Sequence, residues 1–290
     1  MGKSEVAVAV AESLDAEIVS VDSIQIYRGL DAGTAKPSPV LLERIPHHLV
    51  DALEPSHKLT VADYQRRARA AVAEISSRGR LPLLVGGSGL YFRAVVDDLD
   101  FPPRAGAIRA RLEHVGRQVG PERLHSRLRE LDPSAAQNID ARNLRRIVRA
   151  LEVIEITGQP FSAADRWKQY ESIFRLAVAG LTLPRHALHR RIEGRVDDML
   201  AAGLVEEARA LDRRGLGPTA RQALGYRQVL NPPPGGPREL REGIAVATRR
   251  YARRQESWFR TDPRISWFNA SAPGLAEALV RHFTTSLALP

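Results

Sequence analysis

MGKSEVAVAVAESLDAEIVSVDS, residues 1–23, is the stretch on which the fold turns. Gly2-Lys3-Ser4, followed by an alanine- and valine-rich run, has the form of a phosphate-binding loop entering its helix. The full pattern is G-x-x-x-x-G-K-S/T behind a buried strand. Val6, Val10 and Leu14 recur at helical spacing, which predicts a helix over 3–14. EIVSVDS (17–23) reads as a short buried strand running into Asp22. Missing is the strand that should stand before the loop, since only Met1 precedes Gly2.

Working outward, 60–78 predicts a second helix. It opens with Thr60-Val61-Ala62-Asp63, in the form of a capping box, and stops at Gly79. LPLLVGGSG (81–89) is an apolar strand that breaks into glycines. Helix, strand, helix, strand is the order of a parallel α/β sheet. Pro102-Pro103 marks a change of character, because 108–156 is nearly all helical pattern and rich in arginine. Residues 173–183 return to strand-like sequence ended by Pro184, and helical patterns resume over 187–213 and 240–260 around a proline-rich loop at 231–237. The domain reading is therefore an α/β core over 1–101 and 177–290, interrupted by a helical insertion over 102–176.

Composition narrows the function classes. Hydrophobic residues make up 43% of the 290 and charged residues 27%, as in an ordinary globular chain. No apolar run is long enough to cross a bilayer, and the first ten residues lack a signal-peptide pattern. A cytoplasmic location is expected. Cysteine is absent, which excludes disulfides and cysteine-ligated zinc. The net charge is +9 and unevenly placed: 104–149 holds eleven arginines against five acids, and 249–260 holds five against Glu256. Such a surface favours a polyanion, most often nucleic acid. A general preference for arginine is the plainer reading, since only Lys3, Lys36, Lys58 and Lys168 are lysines.

Among single residues, Asp22 falls at the C-terminal end of a parallel strand, the edge where such sheets bind ligands. Ser20, Ser23 and Gln25 surround it. A carboxylate there can accept a proton or help hold a metal, or it can simply cap the next turn. Gly86-Gly87-Ser88-Gly89 can turn its amides to an anion or serve as a plain turn. Thr34 and Lys36 suit a phosphate oxygen or solvent. In 143–156, Leu144, Ile147, Val148, Leu151 and Ile154 form an apolar stripe, with Arg142, Arg145, Arg146 and Arg149 opposite. That arrangement presents guanidinium groups to phosphates or a stacked base. Arg249, Arg250, Arg253 and Arg254 oppose Ala247, Tyr251 and Trp258 in similar fashion. Arg191 and Arg195, after Pro184, have the charge and position to meet a diphosphate. His47-His48 point to opposite faces of an extended segment, so a protein-ligated metal is not expected there.

Taken in order, ten segments resemble the bacterial tRNA dimethylallyltransferases, or tRNA isopentenyltransferases: GKSE (2–5), VDSIQIYRGLDAGTAKP (21–37), PHHLVD (46–51), VADYQ (61–65), LLVGGSGLY (83–91), IRARLE (108–113), DPSAAQNI (132–139), LRRIVRALEV (144–153), QALGYRQ (222–228) and ARRQESWFR (252–260). The resemblance implies an α/β, P-loop NTPase-like parallel sheet core with a helical insertion domain. It implies transfer of a dimethylallyl group from dimethylallyl diphosphate to N6 of adenosine 37 in tRNA. Asp22 matches the base, Lys3 and Gly2 the diphosphate loop, and Ser4 the hydroxyl beside a Mg2+ ion. The RNA-contacting segments match Asp22, Ser23, Ile24, Gln25, Arg145, Arg146, Ile147, Val148, Arg149, Gln222, Ala223, Leu224, Gly225, Tyr226 and Arg227, with Ser88 (usually Thr) and Arg109 as further contacts. A monomer is implied.

One departure is large. The family's loop reads G-P-T-A-x-G-K-S/T after an apolar strand, and everything before Gly2 except Met1 is missing. Either the start is assigned too late, or the product is truncated and inactive. Two other functions fit parts of the pattern. A small-molecule kinase shares GKS and the α/β core, although no Asp follows LPLLV. A non-catalytic RNA-binding protein would use the arginine-rich helices alone.

Overall fold

The computed structural model describes residues 3–102, 104–164 and 169–289. Gly2, expected among the diphosphate ligands, lies outside the described residues, as do Met1 and Pro103. The chain divides into two compact units, one of Met1–Asp97 with Ser172–Pro290 and one of Asp98–Glu171.

The larger unit begins with α1 (Lys3–Ser13), β1 (Ala16–Val21), α2 (Pro39–Arg44), β2 (His47–His48), α3 (Val61–Ser77), β3 (Leu81–Gly86) and α4 (Gly89–Val96). The smaller unit holds α5 (Gly106–Val119), α6 (Pro121–Leu131), α7 (Pro133–Asn138) and α8 (Leu144–Thr157). The chain then returns through β4 (Val178–Thr182), α9 (Arg185–Ala201), α10 (Leu204–Arg214), α11 (Tyr226–Leu230), α12 (Pro237–Phe259), β5 (Ile265–Asn269) and α13 (Leu275–Leu287).

β1 lies between β2 and β3, all parallel. All six of its residues are buried, as a strand covered by helices on both faces must be. Pairing runs from Ala16–Leu81 to Val21–Gly86. Both strands therefore stop at one edge, and the next residues, Asp22 and Gly87, emerge side by side. α1 packs Ala7, Val8 and Ala11 against Ala16 and Ile18, and Val10 against Leu275 and Leu279 of α13. The Thr60 hydroxyl accepts from the Asp63 amide at 3.1 Å and donates to its carboxylate at 2.7 Å, which fixes the start of α3. In the smaller unit Leu112, Leu128, Ile147 and Leu151 form the core. Asn143 caps α8, and Gly158 ends it in the left-handed conformation at φ +67°.

β4 and β5 form a separate parallel pair. Among the described residues no strand joins β3 to β4. Between them lies a cavity of about 210 Å³, lined by Val6 and Val10 from α1, Leu83 and Val85 from β3, and Ala179 and Leu181 from β4. Lys3, Gly87 and Gln255 also line it.

The elements differ from expectation in three places. The helical pattern over 187–213 is two helices, because Gly203 adopts φ +85° between them. The strand-like run 173–183 contains only β4, and just before it Ser172 makes an isolated bridge to Asp97. β5 and α13, unmarked in the sequence, close the larger unit.

Candidate active site

Asp22 follows β1 directly. Its Oδ1 accepts from the Ile24 amide at 2.8 Å and the Gln25 amide at 3.4 Å, so the carboxylate does cap the next turn. That turn is held on its far side. The Ser20 hydroxyl donates to Gln25 Oε1 at 2.8 Å, and Gln25 Nε2 donates to the Ala35 carbonyl at 2.6 Å. Gln25 thus has a fixed amide orientation beside Asp22.

Lys36 and Thr34 turn out to be internal braces and face neither phosphate nor open solvent. Lys36 Nζ donates to the Tyr27 carbonyl at 2.8 Å, to Asp31 at 2.6 Å and to Asp51 at 2.5 Å, with its side chain 9% exposed. The Thr34 hydroxyl donates to the Leu30 carbonyl at 2.6 Å. Three carbonyl or carboxylate partners leave the ammonium no free donor.

Lys3 and Ser4 occupy the first turn of α1, both half-buried. Unpaired amides and the helix dipole favour an anion there. Burial lowers the Lys3 pKa; the charge of Asp22 opposes this and that of Arg195 adds to it. Burial likewise lowers that of Arg195, again against Asp22. Arg195 still keeps exposed surface. Two cations and one carboxylate therefore share the edge of the sheet. Arg191, one helical turn before Arg195, is exposed on the same face of α9.

Tyr64 and Tyr251 complete the surroundings. Tyr64 is fully buried, donates to the Ser20 carbonyl and stands edge-on to Tyr91 at 4.6 Å. Burial raises the pKa of both Tyr64 and Tyr251, and the charge of Asp22 raises each further. Both phenols stay protonated beside Asp22. Tyr64 lies within VADYQ and Tyr251 just before ARRQESWFR, but no spacing rule marks either as a neighbour of residue 22.

The Gly86–Gly89 turn is closely covered by α12. A Cβ on Gly87 would stand 2.3 Å from Gln255 Nε2, and one on Gly89 2.1 Å from the Trp258 ring. Gln255 Nε2 donates to the Gly87 carbonyl at 2.5 Å. Ser88 sits at the N-cap of α4 without using its hydroxyl as a cap.

Several residues expected at the RNA have side chains buried within the protein. Tyr226 is fully buried; its hydroxyl accepts from the Gly33 amide at 3.1 Å and donates to Glu207. Glu207 also accepts from the Asp31 and Ala32 amides, both at 3.0 Å. Ala223 is buried as well, and Gly225 takes φ +87° at the head of α11. Ala223 and Tyr226 therefore anchor the segment, while Gln222 and Arg227 are exposed and Leu224 is half-buried. Ser23 and Ile24 are half-buried in the turn after Asp22.

The smaller unit shows the same division. Ile147 and Val148 belong to its core, so their side chains cannot meet RNA. Arg109 and Arg149 bind the fully buried Glu152 at 3.0 and 2.9 Å, and Arg149 also donates to the Pro102 carbonyl at 2.7 Å. These two arginines are internal partners, whereas Arg142, Arg145 and Arg146 are exposed. On α12, Arg249 is engaged with Glu193 and Glu242 at 3.1 and 2.5 Å. Arg250, Arg253 and Arg254 are exposed.

Among the described residues, no three histidine, aspartate or glutamate side chains gather as a metal cluster. Nor is any helix among them long and apolar enough to cross a membrane.

Comparison with known proteins gives the family. A family profile described as IPP transferase matches residues 25–262. The tRNA dimethylallyltransferase of Thermobifida fusca is 50% identical over 288 residues, covering 96% of this chain and 89% of its own length. That of Salinispora arenicola is 52% identical over 285 residues, covering 96% and 82%. Among solved structures, the full-length tRNA isopentenylpyrophosphate transferase of Bacillus halodurans is 36% identical with a TM-score of 0.72, covering 99% of this chain and 93% of that one. A match of this extent, across both units, establishes that the chain belongs to the IPP transferase family.

Proposed function

We propose that this protein transfers the dimethylallyl group of dimethylallyl diphosphate to N6 of adenosine 37 in tRNA, beside the anticodon. The observation that carries this reading is the grouping of Lys3, Asp22 and Arg195 at one strand edge. Transfer forms a bond from N6 to the allylic carbon and breaks that carbon's bond to the bridging oxygen, whose electron pair leaves with diphosphate. Lys3, the first turn of α1 and Arg195 take the growing negative charge, and Gly2 and Arg191 lie in sequence and on α9 where they can add to it. Asp22 accepts the N6 proton through the carboxylate oxygen that does not cap the turn. A Mg2+ ion fits this donor set: the Ser4 hydroxyl would hold it together with diphosphate oxygens, in keeping with the few protein ligands Mg2+ takes. When bound, the ion would neutralise diphosphate charge.

The tRNA enters with its base out of the stack. Exposed Arg145 and Arg146 of the smaller unit would each meet tRNA phosphates, as would Gln222 and Arg227 of the larger, where Ser23, Ile24, Gln25 and Ser88 would meet the base. The reading also implies a monomer acting in the cytoplasm.

Asp22→Asn tests the reading. Asparagine keeps an acceptor for the Ile24 amide, so the turn survives while the base is lost. Transfer from labelled dimethylallyl diphosphate to tRNA is expected to fall at least about a hundredfold, with tRNA binding unchanged. Undiminished transfer would remove Asp22 as the base.

A further inference from the structure

The Gly86–Gly89 turn is the part of the site least able to hold its own shape, since three of its four residues are glycine. It stands against the leaving-group side: a Cβ on Gly87 would lie 3.5 Å from Lys3 Nζ. What steadies the turn comes from α12, more than 160 residues away. Gln255 gives an N–H to the Gly87 carbonyl from one helical turn beyond Tyr251, the phenol that feels Asp22. One helical turn on, Trp258 covers Gly89 and stands edge-on to Phe259 at 5.1 Å. Trp258 limits the turn by bulk alone. Gln255 is the member that orients a peptide plane.

We infer that Gln255 is a positioning residue for prenyl transfer: its amide fixes the Gly87 peptide beside Lys3. The leaving-group side of the site is thereby held in one register with α12. The inference rests on the prenyl-transfer reading above, and wild-type transfer in the same assay tests that reading separately.

The experiment compares Gln255→Met and Gln255→Glu with the wild type, using dimethylallyl diphosphate and tRNA. Methionine matches the length of glutamine without a donor. It is expected to lower kcat about ten- to a hundredfold, with KM for tRNA within about twofold and melting unchanged. Glutamate offers an O–H to the Gly87 carbonyl only when protonated. Its kcat relative to wild type should therefore rise as pH falls toward the carboxyl range. The groups beside that carboxyl are Lys3 from α1 and Tyr251 on its own helix, and both are present in the wild-type reference. A Gln255→Met enzyme with full kcat, or a Gln255→Glu ratio flat with pH, would overturn the inference. So would a Gln255→Met chain that fails to fold, since the amide would then be needed for stability alone.

Discussion

Lys3 carries a charge at odds with its surroundings, and its titration should report the site directly. An ordinary lysine titrates near 10.5, and burial holds Lys3 below that. Between the two values the unfolded chain binds more protons than the folded one, so stability rises with pH there. Below the folded value both states are protonated, and the burial penalty is expressed in full. Bound diphosphate reverses the balance by favouring the ammonium. Affinity for diphosphate, measured by calorimetry from pH 7 to 10, should therefore begin to fall below the ordinary lysine range. Lys3→Met is expected to weaken binding at least about tenfold at pH 7 and to flatten the pH profile. A wild-type profile flat up to pH 10 would contradict this placement of Lys3. Lys3 and Asp22 were legible in the sequence because a loop pattern and a strand end mark them. Arg195 was legible only as charge after a proline. Its approach to Asp22 depends on how α9 lies across the sheet, which no local pattern encodes.

At the scale of the element, α8 shows what periodicity reveals and what it conceals. The stripe Leu144, Ile147, Val148, Leu151 places one face inward, and all but the half-buried Leu144 are core. Four arginines on the opposite face look equivalent in the sequence. The structure divides them, because Glu152 is buried one turn after Arg149 and takes Arg149, Arg109 and the Ala105 amide. Burial alone would raise the Glu152 pKa, yet hydrogen bonding from Arg149 and the charges of Arg109 and Arg149 hold it low. A buried glutamate at the rim of a stripe was the available signal, and it reads equally well as a solvated charge. Separate measurements should follow the division. Arg145→Ala and Arg146→Ala should each weaken tRNA binding and reduce its salt slope by about one, with melting unchanged. Glu152→Ala should destabilise the protein by about 3 kcal/mol, as read by denaturant titration. A Glu152→Ala protein as stable as the wild type would return Arg109 and Arg149 to the list of free RNA contacts.

At the scale of the whole molecule, the edges of β3 and β4 that no strand pairs among the described residues are the feature least expected of a parallel sheet. Backbone amides and carbonyls along a strand require partners, and an open edge invites another strand. Here the two edges border a cavity whose remaining lining, from α1, α12 and α13, is largely apolar. Such walls suit a central strand, buried on both faces. The order α1, β1, α3, β3 was legible because each element has its own period and stop signal, whereas the short α2 and β2 between them carried none. The pairing of β4 with β5 was not, since ISWFN is too short and mixed to declare its face, and its partner lies about eighty residues earlier. The cavity predicts a gain from filling it. Joining an apolar strand of about five residues and a glycine-rich turn upstream of Met1 should raise the melting temperature by about 5–10 °C. It should also raise the rate of prenyl transfer, because the turn would add amides around the diphosphate beside Lys3. The same extension with two prolines in its strand cannot pair along β3 and β4 and should give neither effect. Equal melting of the two extended proteins would show that the cavity does not accept a strand.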